Sequence, residues 1–436
     1  MAFDKVVDSA KLNSAMSVTA DAIRGKTGST DSITWDESIG FADAIRGIIT
    51  GGGVPSEKSV EEKDINFYDY DGTLLYSYTV EEAQALVELP TLPEQPGLIC
   101  QEWNWNLEDL KALGRKMDVG ATYITDDGAT RLYLNIPLPG RLTVPLNFTQ
   151  TAENGVTIDW GDGTARETVA GTGNVSTSHT YAAEGKYKIS LYPSDGCTLE
   201  LGHGTSGGKP LGNTNPYYKY LYRVEIGKNV GTLLAYTFHD AIMEVITIPN
   251  GVTNIGTQVF AYNSFTKAVI FPKTLTNFSN ASHTFYSSSG VRVVSIPNGV
   301  TALPHYFVNA TKLRKICTPD TVTSYWANFV SDSTVVLYFG ISKNVTSLGQ
   351  RCAAATCVTE WKIPPSVNSI AAECFALNKS TKLYDFTEHT KVPTLENVNA
   401  FTEIPADCEI RVPAVLRDEW AAATNWATYA SQIVAM

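Results

Sequence analysis

"IPNGVTNIGTQVFAYNS" at residues 248–264 returns in altered form as "IPNGVTALPHYFVN" at 296–309. The same frame fits "IGKNVGTLL", "FPKTLTNFS", "CTPDTVTSYW", "ISKNVTSLG" and "IPPSVNSIA". The anchor residues are Val230, Val252, Leu275, Val300, Val322, Val345 and Val367, with successive spacings of 22, 23, 25, 22, 23 and 22. About eight positions beyond the anchors stand Phe238, Phe260, Phe285, Phe307, Phe329 and Phe375, as a stacked aromatic ladder requires. A fixed period of this length predicts a solenoid, in which each unit buries its apolar side only against its neighbours.

One short strand per unit at about 20–29 residues is the leucine-rich-repeat signature. The I-P-x-x-V-T-x-I…F pattern resembles the repeats of bacterial surface adhesins and gut-phage proteins. The solenoid is expected over 222–404. The period breaks at "CEIRVPAVLRDEWAAATNWATYASQIV", so 405–436 is expected as a helical C-terminal cap over the last apolar edge.

Upstream, "GHGTSGG" (202–208) lacks the G-K-[ST] ending of a phosphate cradle, and 201–221 is expected to be a linker. Over 140–200, "VTIDWGDGT" precedes "HTYAAEGKYKISL". Ile158 and Trp160 alternate inward, Gly161 and Gly163 supply turn conformations, and Tyr181, Tyr187, Ile189 and Leu191 face them from opposing strands. The pair of motifs resembles the polycystic-kidney-disease-type (PKD) Ig-like fold, which implies a small β-sandwich.

Residues 54–139 predict a small α+β adaptor with two hairpins, turning at Asp71-Gly72 and at Asp127-Gly128. In "DINFYDYDGTLLYSY" (64–78), the D-x-D-G-T-L run resembles the opening of haloacid-dehalogenase-type phosphatases. That resemblance implies Asp69 as nucleophile and Asp71 as general acid, both holding Mg²⁺. The residues that follow predict hairpin, helix, helix, hairpin rather than the βαβ units that would hold two carboxylates around a metal. A D-G turn is therefore expected, and no catalytic residue.

Residues 1–53 carry two short amphipathic stripes, one with Leu12, Met16 and Ile23, the other with Ile39 and Ile45. "GGG" at 51–53 ends the second. Helices this short bury little area alone, so a docking segment is expected. With the adaptor, this segment resembles N-terminal parts of bacteriophage tail and baseplate proteins. The resemblance implies attachment to other phage structural proteins through 1–53, as a homo-oligomer in a virion.

The expected fold is multidomain and mainly β: helical segment, adaptor, Ig-like sandwich, leucine-rich solenoid, helical cap. Net charge of −12 repels phosphate backbones, so nucleic acid is not an expected partner. No apolar h-region follows the N-terminus and no run of 18 apolar residues occurs, so neither a secretory signal nor membrane insertion is expected. Seven cysteines at irregular spacing indicate neither a disulfide framework nor a zinc site. Among six histidines (179, 203, 239, 283, 305, 389) no two share helix-face spacing, and no metal or cofactor is expected.

What remains is aromatic, amide-rich loop content: "NPYYKY", "FAYNSF", "HTFYSSS", "TSYWANF". Tyr217, Tyr218, Tyr262, Tyr286 and Tyr325 fall off the Phe ladder and are the candidate ligand-binding residues, since Tyr gives large contact area at low entropic cost. The expected function is non-enzymatic. A virion protein would dock by its N-terminus and contact a bacterial surface glycan or protein through 222–436. The alternatives are a bacterial cell-surface leucine-rich-repeat adhesin and a capsid-attached head fibre or decoration protein.

Overall fold

Two ladders of short parallel strands run through residues 221–435. A computed structural model describes residues 60–436 apart from 138, 213–215, 277, 279–281 and 310. The expected docking residues Leu12, Met16, Ile23, Ile39 and Ile45 lie outside the described residues.

One ladder consists mostly of three-residue strands, among them Val245–Thr247, Ala268–Ile270, Val293–Ser295, Lys315–Cys317 and Tyr338–Gly340. The other has two-residue strands such as Ser324–Tyr325 and Ser347–Leu348, parallel to their neighbours. All seven anchors are buried, and so are the six ladder phenylalanines. Phe260 and Phe285 stack at 5.4 Å and 8°, Phe307 and Phe329 at 5.6 Å and 10°. Cys352 stands in the frame between Phe329 and Phe375, where Trp361 meets Phe375 at 5.0 Å and fills the space.

Between the ladders each unit makes a turn whose alternate N–H groups donate to carbonyls of the next unit. Tyr236, Phe238 and Asp240 donate to Thr257, Val259 and Ala261, and Gln258, Phe260 and Tyr262 to Ser282, Thr284 and Tyr286. Left-handed residues recur four apart in these turns, as Tyr236/Asp240, Gln258/Tyr262, His283/Ser287 and Asn328/Asp332. The turn is thus held by inter-unit hydrogen bonding against a local preference for negative φ.

At the N-terminal side, the three-residue ladder runs directly into a two-sheet sandwich. Strand β12 (Leu221–Glu225) pairs parallel with Val245–Thr247 and antiparallel with β5 (Thr130–Ile136). One sheet has six strands, ordered Val245–Thr247, β12, β5, β10 (Gly185–Pro193), β7 (Val156–Asp159), β8 (Glu167–Thr168). Facing it, β6 (Thr143–Gln150) lies between β11 (Leu199–Leu201) and β9 (Gly173–Thr180). One continuous core joins Trp160, Ile189 and Leu132 to Val224, Ile246 and the repeats beyond. Gly161 has φ +77°, and a Cβ there would lie 2.4 Å from Lys188 O. Despite partial burial, which opposes the effect, hydrogen bonds from Thr164 and His179 hold Asp162 down to about 2.

Two expectations change here. Asp127-Gly128 makes a tight turn, but its flanking strands enter different sheets: β4 (Met117–Thr125) pairs with adaptor strands and β5 with the sandwich. It is a crossover, not a hairpin, and the sandwich reaches back past the expected boundary at 139. Residues 201–221 are no loose linker either, because Lys209 and Leu211 are buried and Thr237 donates to Leu201 O.

The adaptor sheet has the order β2 (Leu74–Tyr78), β1 (Ile65–Tyr68), β4, β3 (Leu98–Trp103). Helix α1 (Val80–Gln84) starts with a capping box between Thr79 and Glu82, and α2 (Leu107–Leu113) starts at Asn106 and ends at Gly114 with φ +60°. The adaptor sits on the three-residue ladder. Asn104 Nδ2 donates to Phe271 O and Ser295 Oγ, both at 2.8 Å, and Trp105 Nε1 donates to Ile296 O at 2.9 Å. Gly120 lets β4 approach, since a Cβ would lie 2.3 Å from Ile270 Cγ2. The ladder face beneath is apolar or small (Ala268, Ile270, Val293, Ser295, Cys317), whereas Glu360 and Lys362 further along are exposed. The face of these middle repeats, expected to be available for display, is covered.

The end of the chain also departs from expectation. Only Arg417–Ala422 is α-helical (α3), while Glu409–Val412 and Ile433–Ala435 add two more parallel strands to the ladder. Buried Trp420 and Trp426 pack on Phe386 at 5.3 and 5.7 Å. His389 is enclosed with them, 5.9 Å from the Trp420 ring, and burial lowers its pKa below the ordinary 6.5. The unfolded chain takes up a proton below that value while the folded chain resists it, so stability is lost as pH falls below about 6.5. In His389→Phe, the decline of the unfolding midpoint between about pH 7 and 5 should be shallower than in the parent. An unchanged slope would exclude His389 as a source.

Candidate functional site

The turns that carry the Phe ladder inward also bring other residues to the surface. In the first five units these include tyrosine, histidine or tryptophan rings. Tyr236 lies 5.7 Å from His239, His239 5.2 Å from Tyr262, and Tyr262 5.5 Å from Tyr286. His283 meets Tyr286 at 5.2 Å and stacks on Tyr306 at 4.4 Å and 15°. Further along, His305 meets Trp326 edge-on at 4.9 Å. The result is a ridge of rings crossing the units, with Tyr262 45% and Trp326 52% exposed. Ring-on-ring packing fixes these side chains before any ligand arrives, which lowers the entropic cost of binding.

At the sandwich end the ridge meets a buried amine. Lys209, 4% exposed, places Nζ 4.4 Å over the Tyr218 ring, 3.3 Å from His239 Nδ1 and 3.4 Å from Asp240 Oδ2. Burial lowers the pKa of Lys209, with Asp240 opposing. Burial likewise lowers His239, again against Asp240, and lowers His283 with help from His305. Both imidazoles are thereby biased toward the neutral form. Beyond Asn328 the same turn positions become charged, and Arg351 pairs with Asp332 at 3.3 Å and Glu373 at 2.8 Å.

Of the five tyrosines singled out in the sequence, Tyr218, Tyr262 and Tyr286 come together along this ridge. The backbone of Tyr217 lies in the 3-10 turn Pro216–Tyr220, and its side chain lies outside the described residues. Tyr325 does not belong. It is 3% exposed, stacks on Phe329 at 5.0 Å, and its hydroxyl accepts from Ser342 N and shares a hydrogen bond with Thr318 Oγ1. Its sequence neighbour Trp326 takes the surface place. Tyr236, His239, His283, His305 and Tyr306 were also overlooked, although Tyr236, His283 and His305 each stand two residues before a ladder Phe.

Asp69 and Asp71 lie elsewhere, at the turn joining β1 to β2. Asp69 N donates to Thr73 O, and Gly72 adopts φ +90°. Asp69 Oδ1 accepts from Tyr70 N, its Oδ2 accepts from Gln95, and Asp71 Oδ1 accepts from Thr73 N. Each carboxylate thus holds the turn. Among the described residues, no group of three or more His, Cys, Asp or Glu is placed to hold a metal ion.

No curated protein matches this chain. Its structure is similar to a leucine-rich repeat protein from Bacteroides ovatus ATCC 8483 (14% identity, 54% of this chain and 61% of that one, TM-score 0.39). A leucine-rich repeat protein from Eubacterium ventriosum ATCC 27560 also matches (18%, 52% and 64%, TM-score 0.34). So does a leucine rich cell surface protein from Faecalibacterium prausnitzii A2-165 (15%, 55% and 86%, TM-score 0.25). The chain spans less than two thirds of the length of the first two. Residues 216–282 and 279–403 match the BspA type leucine rich repeat region in six copies, and this part of the chain is a BspA-type leucine-rich-repeat solenoid.

Proposed function

We propose that the chain is a non-catalytic leucine-rich-repeat adhesion protein of bacterial surface type, which recognises an envelope or cell-surface ligand through the ring ridge between Tyr236 and Trp326. The ridge carries this reading: preorganised tyrosine and tryptophan rings are among the side chains that concentrate binding energy at recognition surfaces. The family of the repeats agrees with it. The sandwich, read as a PKD-like module, joins adaptor to repeats.

A second reading keeps the same surface on a virion. There the amphipathic stripes of residues 1–53, with Leu12, Met16, Ile23, Ile39 and Ile45, dock the chain to a tail, baseplate or head fibre as a homo-oligomer. Particle incorporation of a chain lacking 1–53 separates the two: loss of incorporation supports the virion, and unaltered incorporation removes it.

Recognition itself is tested with labelled full-length chain on intact bacteria and on isolated envelopes. The double variant Tyr262→Ala/Trp326→Ala removes two exposed rings of the ridge and should weaken binding about tenfold or more, with its unfolding midpoint unchanged. Binding equal to the parent would remove the ridge from the function.

A further inference from the structure

The ridge is open and uncharged along its middle, and it draws its rings from different positions of successive turns. Tyr236, Tyr262, Tyr286, Tyr306 and Trp326 contribute one ring each from successive units. Adjacent parallel strands lie about 4.8 Å apart, so five units carry the rings along about 20 Å. Tyr262 is 45% exposed, and its hydroxyl can both donate to and accept from a ligand. Charge stands only at the ends. Asp240 is matched by Lys209 at one end, and Asp332 by Arg351 at the other.

These properties constrain the ligand. An anionic ligand would set its charges against the electron-rich ring faces without partners, which costs binding free energy. A linear polymer laid along the axis meets one ring of each unit in turn, and one whose units have a C–H face and hydroxyl edges matches rings that offer an apolar surface and a polar rim. We infer that the ridge binds an uncharged polysaccharide strand lying along the solenoid axis, one ring of the protein to each successive stretch of sugar. This rests on the recognition reading above and names its ligand class.

The test uses the full-length chain and isolated bacterial envelopes, untreated, oxidised with periodate to open vicinal diols, or digested with protease. Periodate should abolish binding and protease should leave it. Titration with linear neutral oligosaccharides of increasing length, from a 1,4-linked glucan series whose 2,3-diols periodate opens, should show Kd falling with length and levelling once the ligand spans about 20 Å. Binding should be nearly the same at low and high salt, and weaker by tenfold or more in Tyr262→Ala/Trp326→Ala. Binding that survives periodate but not protease would overturn the polysaccharide and leave the recognition reading standing. Steep salt dependence would overturn the uncharged ligand. Failure to bind untreated envelopes would instead sink the recognition reading itself.

Discussion

Lys315→Met is expected to destabilise the chain by about 3–5 kcal/mol and to release the adaptor from the repeats. Lys315 Nζ lies 2.6 Å from Asp118 Oδ1 and 3.0 Å from Glu62 Oε1, where adaptor and ladder meet. Burial would lower the ammonium's pKa, but Asp118 outweighs it and holds the group well above the ordinary lysine value. Asp118 is 3% exposed, and burial pushes its carboxyl up against the pull of Lys315. Removing the lysine leaves a carboxylate in a dry interface with only Asn66, at 3.4 Å, within hydrogen-bond reach of Oδ1. The loss should therefore grow with pH. Asp118 in the variant has a folded pKa above its unfolded value, so little is lost below about pH 4 and progressively more as pH rises through the folded pKa. Denaturant unfolding checks the size, and proteolysis of the loop between α1 and β3 checks the release. Adding Asp118→Leu should restore much of the stability, because an apolar pair of similar size often equals a buried ion pair. A single variant within about 0.5 kcal/mol of the parent at neutral pH would show that the interface is held by other contacts, such as Arg115–Asp320 at 2.8 Å.

What could be foreseen from the sequence was whatever depends on neighbours in the period. Val252, Phe260 and their counterparts face inward because every unit repeats the same turn, and the spacing of 22 to 25 residues exposes that. The misplacement of Tyr325 had the same source of information. It stands three after its anchor Val322, the position filled by Leu233, Ile255, Leu303, Leu348 and Ile370 in other units, all of them buried. An aromatic at the isoleucine position of V-T-x-I is core, and treating it as loop ignored the frame. The adaptor's seat is different. Nothing local to Gly120 says that Ile270 will lie against it, because that contact joins residues 150 positions apart. A weaker signal did exist in the ladder itself, where Ala268, Ile270, Val293 and Cys317 give way to Glu360 and Lys362 on the same side. A strand face that turns from apolar to charged along a solenoid marks where a covering element ends. The Asp127-Gly128 turn shows the opposite limit: the dipeptide fixed a tight turn but carried no information on which sheet received the next strand.

Phe285→Ala should cost about 3–5 kcal/mol and split the solenoid rather than merely soften it. The ring is fully buried, stacks on Phe260 at 5.4 Å, meets Phe307 edge-on at 5.3 Å and lies 6.1 Å from Phe271. Its neighbours cannot collapse into the space, because the backbone of this turn is tied on both sides. Phe260 N donates to Thr284 O, and Phe285 N donates to Phe307 O. A cavity is therefore left, and with it the full cavity penalty. In a stacked-repeat protein each unit draws its stability from the next, so the loss falls on one junction and separates the units before Phe285 from those after it. The parent is expected to unfold with one dominant transition through its continuous core, and the variant with two. Hydrogen exchange should then show faster amides on the turns at 258–262 and 283–287 than at 373–377, while the same probes remain slow together in the parent. Phe285→Leu keeps most of the volume and should recover over half of the loss. A single transition in Phe285→Ala, lowered by less than about 1 kcal/mol, would mean that the aromatic stack is not what couples the repeats.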